Sequence, residues 1–347
     1  MSDLGDEEFL EELTSILCLV SEYAWVAIVI IAQISAVLSF IAFIIWLYCR
    51  ITVGRCKCLN RVDGKTVLIT GGCTGIGFET AKTMAARGGR VIFTCRNLEY
   101  GELAQQKIIE QTGNTEVFVK RLDLASIPSV RFFAKQFLET EKRLDILIAN
   151  AGRTAPRQRT VTNDGFEITI QSNHLGHFLL VNLLLDLIKK SAPARIVVVS
   201  SMIHRWATFD IDDFFVERHY SQSRAYGISK LLNIYFAREL SDRLRGCDVT
   251  VNSLHPGLVK TKFYRDTPHT LLGRFLVTVA IPLFSKSPTE GAQTSIHLSL
   301  SPELEHTTGK YFMDCKETRP VASALNPVLQ RKVWETSEKC LGSYCHF

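Results

Sequence analysis

A tyrosine and a lysine stand four residues apart in the stretch AYGISK, residues 225–230. On a helix this spacing puts Tyr226 and Lys230 on one face, where the ammonium can stabilise a phenolate and ease proton transfer by the phenol. Ser201 follows a Val-rich run and could hydrogen-bond the oxygen of a substrate. These groups predict proton donation to a carbonyl oxygen, although the bare spacing is equally typical of a surface helix.

A glycine-rich stretch, TGGCTGIG at residues 70–77, lies between an apolar run and the helix-compatible FETAKTMAARG. Glycines in such a turn let the backbone approach a pyrophosphate, and the N-terminus of the next helix presents unpaired amides to the anion. Tight packing alone also produces glycine turns, but the strand and helix context favours a nucleotide. The predicted cofactor-binding residues of the turn are Gly71, Cys73, Thr74, Gly75, Ile76 and Gly77.

The cofactor is predicted from the residue that ends the second apolar run, in TCRN at residues 94–97. An acidic residue there would accept hydrogen bonds from a ribose, whereas Arg96 can bind a 2′-phosphate through two parallel hydrogen bonds. NADP(H) is therefore favoured over NAD(H). Further cofactor contacts are expected from residues that follow later strands, namely Asp123, Leu124, Asn150 and Gly152.

Short runs rich in Val and Ile alternate with longer helical patterns from residue 65 onward. This alternation predicts an α/β fold with a Rossmann-type, doubly wound parallel sheet of seven strands. The expected strands are residues 66–70, 91–95, 117–121, 146–150, 195–200, 249–254 and 311–313. No repeat or composition shift indicates a second domain, so residues 65–347 are predicted to form one.

The N-terminal residues predict a membrane anchor. Residues 1–23 hold seven acids and no Lys or Arg, residues 24–48 carry no charge, and residues 49–64 are basic. The uncharged stretch is long enough for a transmembrane helix, and the Lys and Arg that follow it predict a cytosolic main domain. A cleaved signal peptide is the alternative, but the acidic flank and the length of the apolar run favour a retained, single-pass helix.

Charge and cysteine spacing argue against two other classes of protein. The formal net charge is +5, without a basic run interleaved with aromatic residues, which argues against nucleic-acid binding. Ten cysteines are scattered without paired spacing, as is typical of free thiols in a reducing compartment. His174 and His177 lack a third ligand at metal-site spacing, so no metal is expected.

The motifs TGGCTGIG, DL, NAG, NHLGHF, VSS, YGISK and HPGLVKT stand in the order and spacing of the short-chain dehydrogenase/reductase family, which the chain resembles. The anchor, the long NHLGHF segment and GKYFMDCKE resemble more narrowly the membrane-anchored retinol dehydrogenases. This resemblance implies four catalytic residues, Asn173, Ser201, Tyr226 and Lys230, with Ser201 also binding the substrate. It further implies that Thr261 contacts the cofactor and that Asn173 holds a water that relays protons to the lysine.

The resemblance implies NADP(H)-dependent interconversion of a lipophilic aldehyde and its alcohol, first of all retinaldehyde and retinol, at the endoplasmic reticulum membrane. Two alternatives stay open, namely a reductase for steroids or other lipid ketones and a non-catalytic, membrane-tethered cofactor-binding scaffold. The oligomeric state also stays open, with a homodimer among the options. The stretch RTAPRQR, residues 153–159, brings three arginines to a place where the family commonly has an apolar pocket wall.

Overall fold

The computed structural model describes residues 4–260 and 285–342, and the chain divides into two compact units, residues 1–52 and 53–347. In the first unit, helix α1 is continuous from Leu4 to Ile51. By length and composition it is the one helix of the described ranges that could cross a membrane, over Glu11–Tyr48. Apolar side chains along it are exposed, whereas a soluble protein would bury them. The predicted N-terminal apolar helix is therefore confirmed.

The second unit is built on one sheet of eight strands in the order β3-β2-β1-β4-β5-β6-β7-β8. Strands β1 to β7 are parallel, and β8 pairs antiparallel with β7. The order reverses between β1 and β4, and in such doubly wound sheets ligands bind beyond the carboxyl ends of the strands at that point. The strands are β1 Thr66–Ile69, β2 Arg90–Cys95, β3 Val117–Arg121, β4 Ile146–Ala149, β5 Ala194–Val199, β6 Val249–His255, β7 Tyr311–Met313 and β8 Lys316–Glu317.

Helices cover both faces of the sheet. Their bounds are α2 Gly75–Ala86, α3 Leu98–Thr112, α4 Ile127–Thr140, α5 Ile168–Ile170, α6 Gly176–Leu183, α7 Leu185–Lys190, α8 Gln222–Arg243, α9 Pro288–Leu300 and α10 Pro327–Leu341. A π-helical turn, Gln171–Leu175, joins α5 to α6. One buried cluster packs α4, α6 and α8 on one face, and a second packs α2, α3 and α9 on the other.

The strand sequences explain this two-sided burial. Successive side chains of a strand point to opposite faces, so Leu68 of β1 joins the first cluster while Val67 and Ile69 join the second. All four residues of β1 are consequently buried, as expected for a parallel strand covered on both sides. The sheet therefore holds the carboxyl ends of its strands rigidly at one edge.

The seven predicted strands are confirmed, each within one residue of its expected bounds, but the sheet has an eighth strand that the sequence did not indicate. Strand β8 returns along β7 through a tight turn at Asp314 and Cys315, whose φ angles are 51° and 58°. Two-residue hairpin turns with positive φ usually have Asn, Asp or Gly at the first position and Gly at the second. Asp314 fits the first position, but Cys315 stands where Gly is usual, so the sequence signal of a hairpin is incomplete.

Candidate active site

The glycine turn joins β1 to α2 at the reversal point of the sheet. Gly71 and Gly75 have positive φ angles of 70° and 61°, which glycine adopts without steric cost. A Cβ at Gly77 would lie 2.1 Å from the Gly71 carbonyl oxygen, so a side chain there would displace the turn. Thr74 occupies the N-cap of α2 but makes no side-chain hydrogen bond to its first amides. This cradle of glycine backbone and helix amides fits the pyrophosphate of a dinucleotide.

The end of β4 is fastened to the same turn by hydrogen bonds. Asn150 Nδ2 donates to the carbonyl oxygens of Thr70, at 2.9 Å, and Gly71, at 3.2 Å. In return, Thr70 Oγ1 accepts from the backbone amides of Asn150 and Ala151, each at 2.9 Å. The two strand ends on either side of the reversal point therefore form one hydrogen-bonded unit.

A cavity of about 720 Å³ opens at this edge of the sheet. It is lined by most of the predicted site residues: Gly71, Cys73, Thr74, Gly75, Ile76, Gly77, Arg96, Asp123, Leu124, Asn150, Gly152, Ser201, Tyr226 and Lys230. Asn173 does not line the cavity and lies just behind it, whereas Thr261 is outside the residues that the structure describes. The predicted cofactor turn and the predicted Tyr–Lys pair thus share one cavity.

At one end of the cavity, Arg96 follows β2 and Asp123 follows β3, because neighbouring parallel strands end at the same edge. Arg96 is exposed, so its guanidinium is accessible to a ligand in the cavity. The Asp123 carboxylate accepts from the backbone amide of Ala125 at 3.0 Å, which ties the carboxylate to its own turn. A positive group and a fixed carboxylate therefore lie where the adenosine part of a dinucleotide is expected.

Two adjacent serines follow β5, and the structure separates them. Ser200 is buried, and its hydroxyl donates to the Lys230 carbonyl at 2.7 Å. Ser201 is half-buried at the cavity and caps a short 3₁₀ helix, Met202–Trp206. Inside that helix His204 Nδ1 donates to the Ser201 carbonyl at 2.6 Å, while His204 Nε2 accepts from the Val321 amide at 3.2 Å. Both serines line the cavity, but the Ser200 hydroxyl is already bonded to α8, so Ser201 is the better placed of the two to bind a substrate.

Tyr226 and Lys230 project from the first turns of α8, where Ser221 caps the helix by accepting from the Arg224 amide. Lys230 is 3% exposed; its Nζ donates to the Val199 carbonyl at 3.2 Å and lies 5.8 Å from the centroid of the Tyr226 ring. Burial lowers the pKa of Lys230 from 10.5 to about 8, because the charged ammonium loses its hydration. The ammonium is thus close enough to act electrostatically on the half-buried phenol.

Asn173 lies in the π-helical turn, where its side chain is bonded to two neighbouring segments of the site. Its Oδ1 accepts from the Arg153 amide at 2.9 Å, and its Nδ2 donates to the Arg153 carbonyl at 3.0 Å and to Ser229 Oγ at 2.9 Å. The π-turn stands between two α-helical segments, and such turns are frequent at functional sites. The amide therefore joins the loop after β4 to α8, one residue before Lys230.

A doubly wound sheet with a pyrophosphate-binding turn at its reversal point is the architecture of Rossmann-type oxidoreductases that use NAD or NADP. A family model described as short chain dehydrogenase matches residues 65–271. The chain therefore belongs to the short-chain dehydrogenase family.

Individual relatives agree with this assignment. Human retinol dehydrogenase 14 is 44% identical over 333 residues, which cover 90% of this chain and 98% of that protein. Human retinol dehydrogenase 12 is 45% identical over 290 residues, covering 83% and 90%. The Pseudomonas aeruginosa RhlG/NADP active-site complex is 26% identical with a TM-score of 0.59, covering 73% of this chain and 95% of that one. The predicted resemblance to retinol dehydrogenases is confirmed.

Some cavity residues were missed by the sequence reasoning. They include Arg153, Ser172, Val199, Pro256, Gly257 and Val259. Pro256, Gly257 and Val259 stand in HPGLVKT, so the motif contained the signal for three of them. Arg153 directly follows NAG and could also have been included. Ser172 and Val199 carry no local signal, because only the packing of the strand end and the π-turn brings them to the cavity.

Proposed function

We propose that this protein is an NADP(H)-dependent reductase that converts a lipophilic aldehyde, with retinaldehyde as the first candidate, to its alcohol. The observation that carries the proposal is the shared cavity: Ser201, Tyr226 and Lys230 line the same 720 Å³ space as the pyrophosphate turn. The substrate class is supported by relatives about 44% identical over most of the chain that are named retinol dehydrogenases.

The proposed mechanism gives each catalytic residue a defined role. A bound nicotinamide would supply the hydride. The Ser201 hydroxyl would hold the substrate oxygen, and Tyr226 would donate a proton to that oxygen as charge develops on it. The Lys230 ammonium would stabilise the resulting phenolate and hold the cofactor ribose. Asn173 would keep the loop after β4 against α8, and a water relay from Asn173 to the lysine stays a prediction.

The substrate proposal is tested by giving full-length protein in detergent NADPH with retinaldehyde, a straight-chain lipid aldehyde or a steroid ketone at equal concentration. We expect the oxidation of NADPH, followed by its absorbance, to be fastest with the aldehydes, and retinol to appear by chromatography. Fastest turnover of the ketone would instead select the alternative of a lipid ketone reductase. That alternative has its own support, because Arg153 brings a polar group to the cavity wall. No consumption with any of the three would contradict the proposal.

The preference for NADP(H) is proposed to depend on Arg96, which is exposed at the cavity beside the end of β2. In an Arg96→Glu variant the lost ion pair and the added repulsion should raise KM for NADPH by about tenfold or more, because charge-assisted hydrogen bonds are worth about 1.5–3 kcal/mol. KM for NADH should change by less than about threefold, since NADH has no 2′-phosphate. The exposed Arg331 on α10 provides the control, and Arg331→Glu should affect neither cofactor. An equal effect of Arg96→Glu on both cofactors would contradict the proposal.

The location proposed for the protein is a single-pass anchor in the endoplasmic reticulum membrane, with residues 53–347 in the cytosol. The basic stretch after the apolar helix supports this orientation, as do the free thiols of Cys56, Cys73 and Cys95. Protease added to intact microsomes should remove a C-terminal tag, and protection of the tag would contradict the orientation.

A further inference from the structure

The second histidine of NHLGHF, His177, is bonded through both ring nitrogens in the interior of the second unit. It is 1% exposed and lies four residues after Asn173. Its Nε2 lies 2.8 Å from Thr70 Oγ1, in the cofactor turn, and its Nδ1 lies 3.0 Å from the backbone carbonyl oxygen of Asn173, in the π-turn. One side chain therefore connects the two halves of the site.

The hydrogen bonds of Thr70 determine which nitrogen of His177 carries the proton. A hydroxyl oxygen has two acceptor positions, and those of Thr70 are taken by the amides of Asn150 and Ala151. The Thr70 hydrogen has two acceptors within reach, the Ile148 carbonyl at 3.4 Å and His177 Nε2 at 2.8 Å. Because Thr70 Oγ1 has no acceptor position left for a ring N–H, the shorter contact is a donation from the Thr70 hydroxyl to an unprotonated Nε2. The proton is then on Nδ1, which donates to the Asn173 carbonyl.

The ring also stays neutral. Burial lowers the pKa of His177 to about 4, and the nearby Lys230 ammonium acts in the same direction. In a protonated ring Nε2 would also carry a hydrogen and would point it at Thr70 Oγ1, whose two acceptor positions are already taken by backbone amides. His177 consequently presents one fixed acceptor to the cofactor turn and one fixed donor to the π-turn.

We propose that His177 is a positioning residue: by binding Thr70 and the Asn173 carbonyl at once, it fixes the π-turn relative to the cofactor turn. The Asn173 side chain is thereby held between the Arg153 backbone and the hydroxyl of Ser229, the residue before Lys230. A Cβ built on Gly152 would lie 3.1 Å from Lys230 Nζ and 3.6 Å from Asn173 Oδ1, which places both groups around the same point. The inference rests on the proposed function only for its effect on turnover.

Two substitutions separate the two bonds. Asparagine places its amide near the position of a histidine Nδ1, so His177→Asn keeps a donor for the Asn173 carbonyl and loses the acceptor for the Thr70 hydroxyl. Glutamine places its amide near the position of Nε2, so His177→Gln keeps the acceptor for the Thr70 hydroxyl and loses the donor for the Asn173 carbonyl. In full-length protein, His177→Asn should weaken NADPH binding by about tenfold and leave kcat within about threefold of the wild-type value. His177→Gln should show the reverse, with kcat about tenfold lower and nearly unchanged NADPH affinity.

NADPH affinity is measured by fluorescence titration, and hydrogen exchange of residues 171–178 follows the π-turn directly, so both readouts work without turnover. His177→Gln should speed exchange there and His177→Asn should not. If the wild type reduces none of the carbonyl compounds, the proposed function fails, while these two readouts still decide the role of His177.

His174 provides the matched control, because it is buried in the same π-turn but its Nε2 donates to Ser337 in α10, away from the cavity. His174→Gln keeps a donor near Ser337 but loses the buried ring, so it should lower the unfolding temperature. It should leave both NADPH affinity and kcat within about threefold of the wild type. The proposal would be overturned if His177→Asn and His177→Gln changed NADPH affinity and kcat equally. It would also be overturned if His174→Gln lowered kcat as much as His177→Gln does.

Discussion

A Tyr226→Phe variant should lose nearly all carbonyl reduction while it still binds NADPH. Loss of a positioned proton donor typically costs about 10²–10⁴-fold in rate, and phenylalanine keeps the ring that packs at the start of α8. Tyr226 is half-buried, so removal of its hydroxyl should change the unfolding temperature by no more than a few degrees. Steady-state kinetics, NADPH titration and thermal unfolding on the same preparation would check the three parts of this expectation.

Tyr235 provides the matched control for this experiment. It lies on the same helix, two turns further on, where its hydroxyl donates to the Ser323 carbonyl at 2.9 Å and has no contact with the cavity. Tyr235→Phe should cost about 1 kcal/mol of stability and leave kcat unchanged. Should Tyr226→Phe keep more than about a tenth of the activity, proton donation would have to come from another group. Unchanged cellular function of that variant would favour the scaffold without turnover.

The sequence predicted the sheet well because parallel strands covered on both faces are apolar along their whole length. Runs such as TVLIT and ILIAN placed β1 and β4 within one residue of their observed bounds. Strand β8 was missed because its turn uses Asp314 and Cys315 at positive φ. Only the surrounding structure, including the ion pair of Asp314 with Lys286, accounts for that turn.

The candidate site was predicted unevenly, for a similar reason. Glycines that a turn requires, and polar residues at strand ends, are visible in the sequence, so Gly77, Asn150 and Tyr226 were identified. The family resemblance already selected Ser201, and the structure adds a physical reason, because the Ser200 hydroxyl donates to the Lys230 carbonyl in α8. The link from Thr70 through His177 to Asn173 joins residues more than a hundred positions apart, and no spacing rule connects them.

The largest effect on stability is expected at Lys230, and it should oppose the effect on activity. Lys230 is buried, and its Nζ donates to the Val199 carbonyl. Burial lowers the pKa of Lys230 from 10.5 to about 8. A lowered pKa means that folding disfavours the charged form, at a cost of about 3 kcal/mol at pH values where the folded and the unfolded lysine are both protonated. The protein tolerates this cost because a buried ammonium acts on Tyr226 more strongly than a hydrated one would.

The sign of the pH dependence follows from the two pKa values. Below about pH 8 both the folded and the unfolded lysine carry the proton, so the full cost is present. Between about pH 8 and 10.5 the folded lysine is neutral while the unfolded lysine is still protonated, so stability due to this residue rises with pH. The wild type should therefore gain stability relative to a variant without the charge as the pH increases through this window.

A Lys230→Met variant should accordingly unfold at higher denaturant concentration than the wild type at pH 7, with a gain of about 2 kcal/mol after loss of the bond to Val199. The gain should shrink toward zero by about pH 10, while kcat falls by at least about a hundredfold at every pH because the phenolate loses its counter-charge.

The exposed Lys142 provides the control, and Lys142→Met should change neither the stability nor kcat. Denaturant titrations of full-length protein without cofactor at pH 7 and pH 10 measure the effect. A Lys230→Met variant less stable than the wild type at pH 7 would mean that the contacts of the ammonium outweigh its desolvation, and that Lys230 contributes to the fold as well as to the reaction.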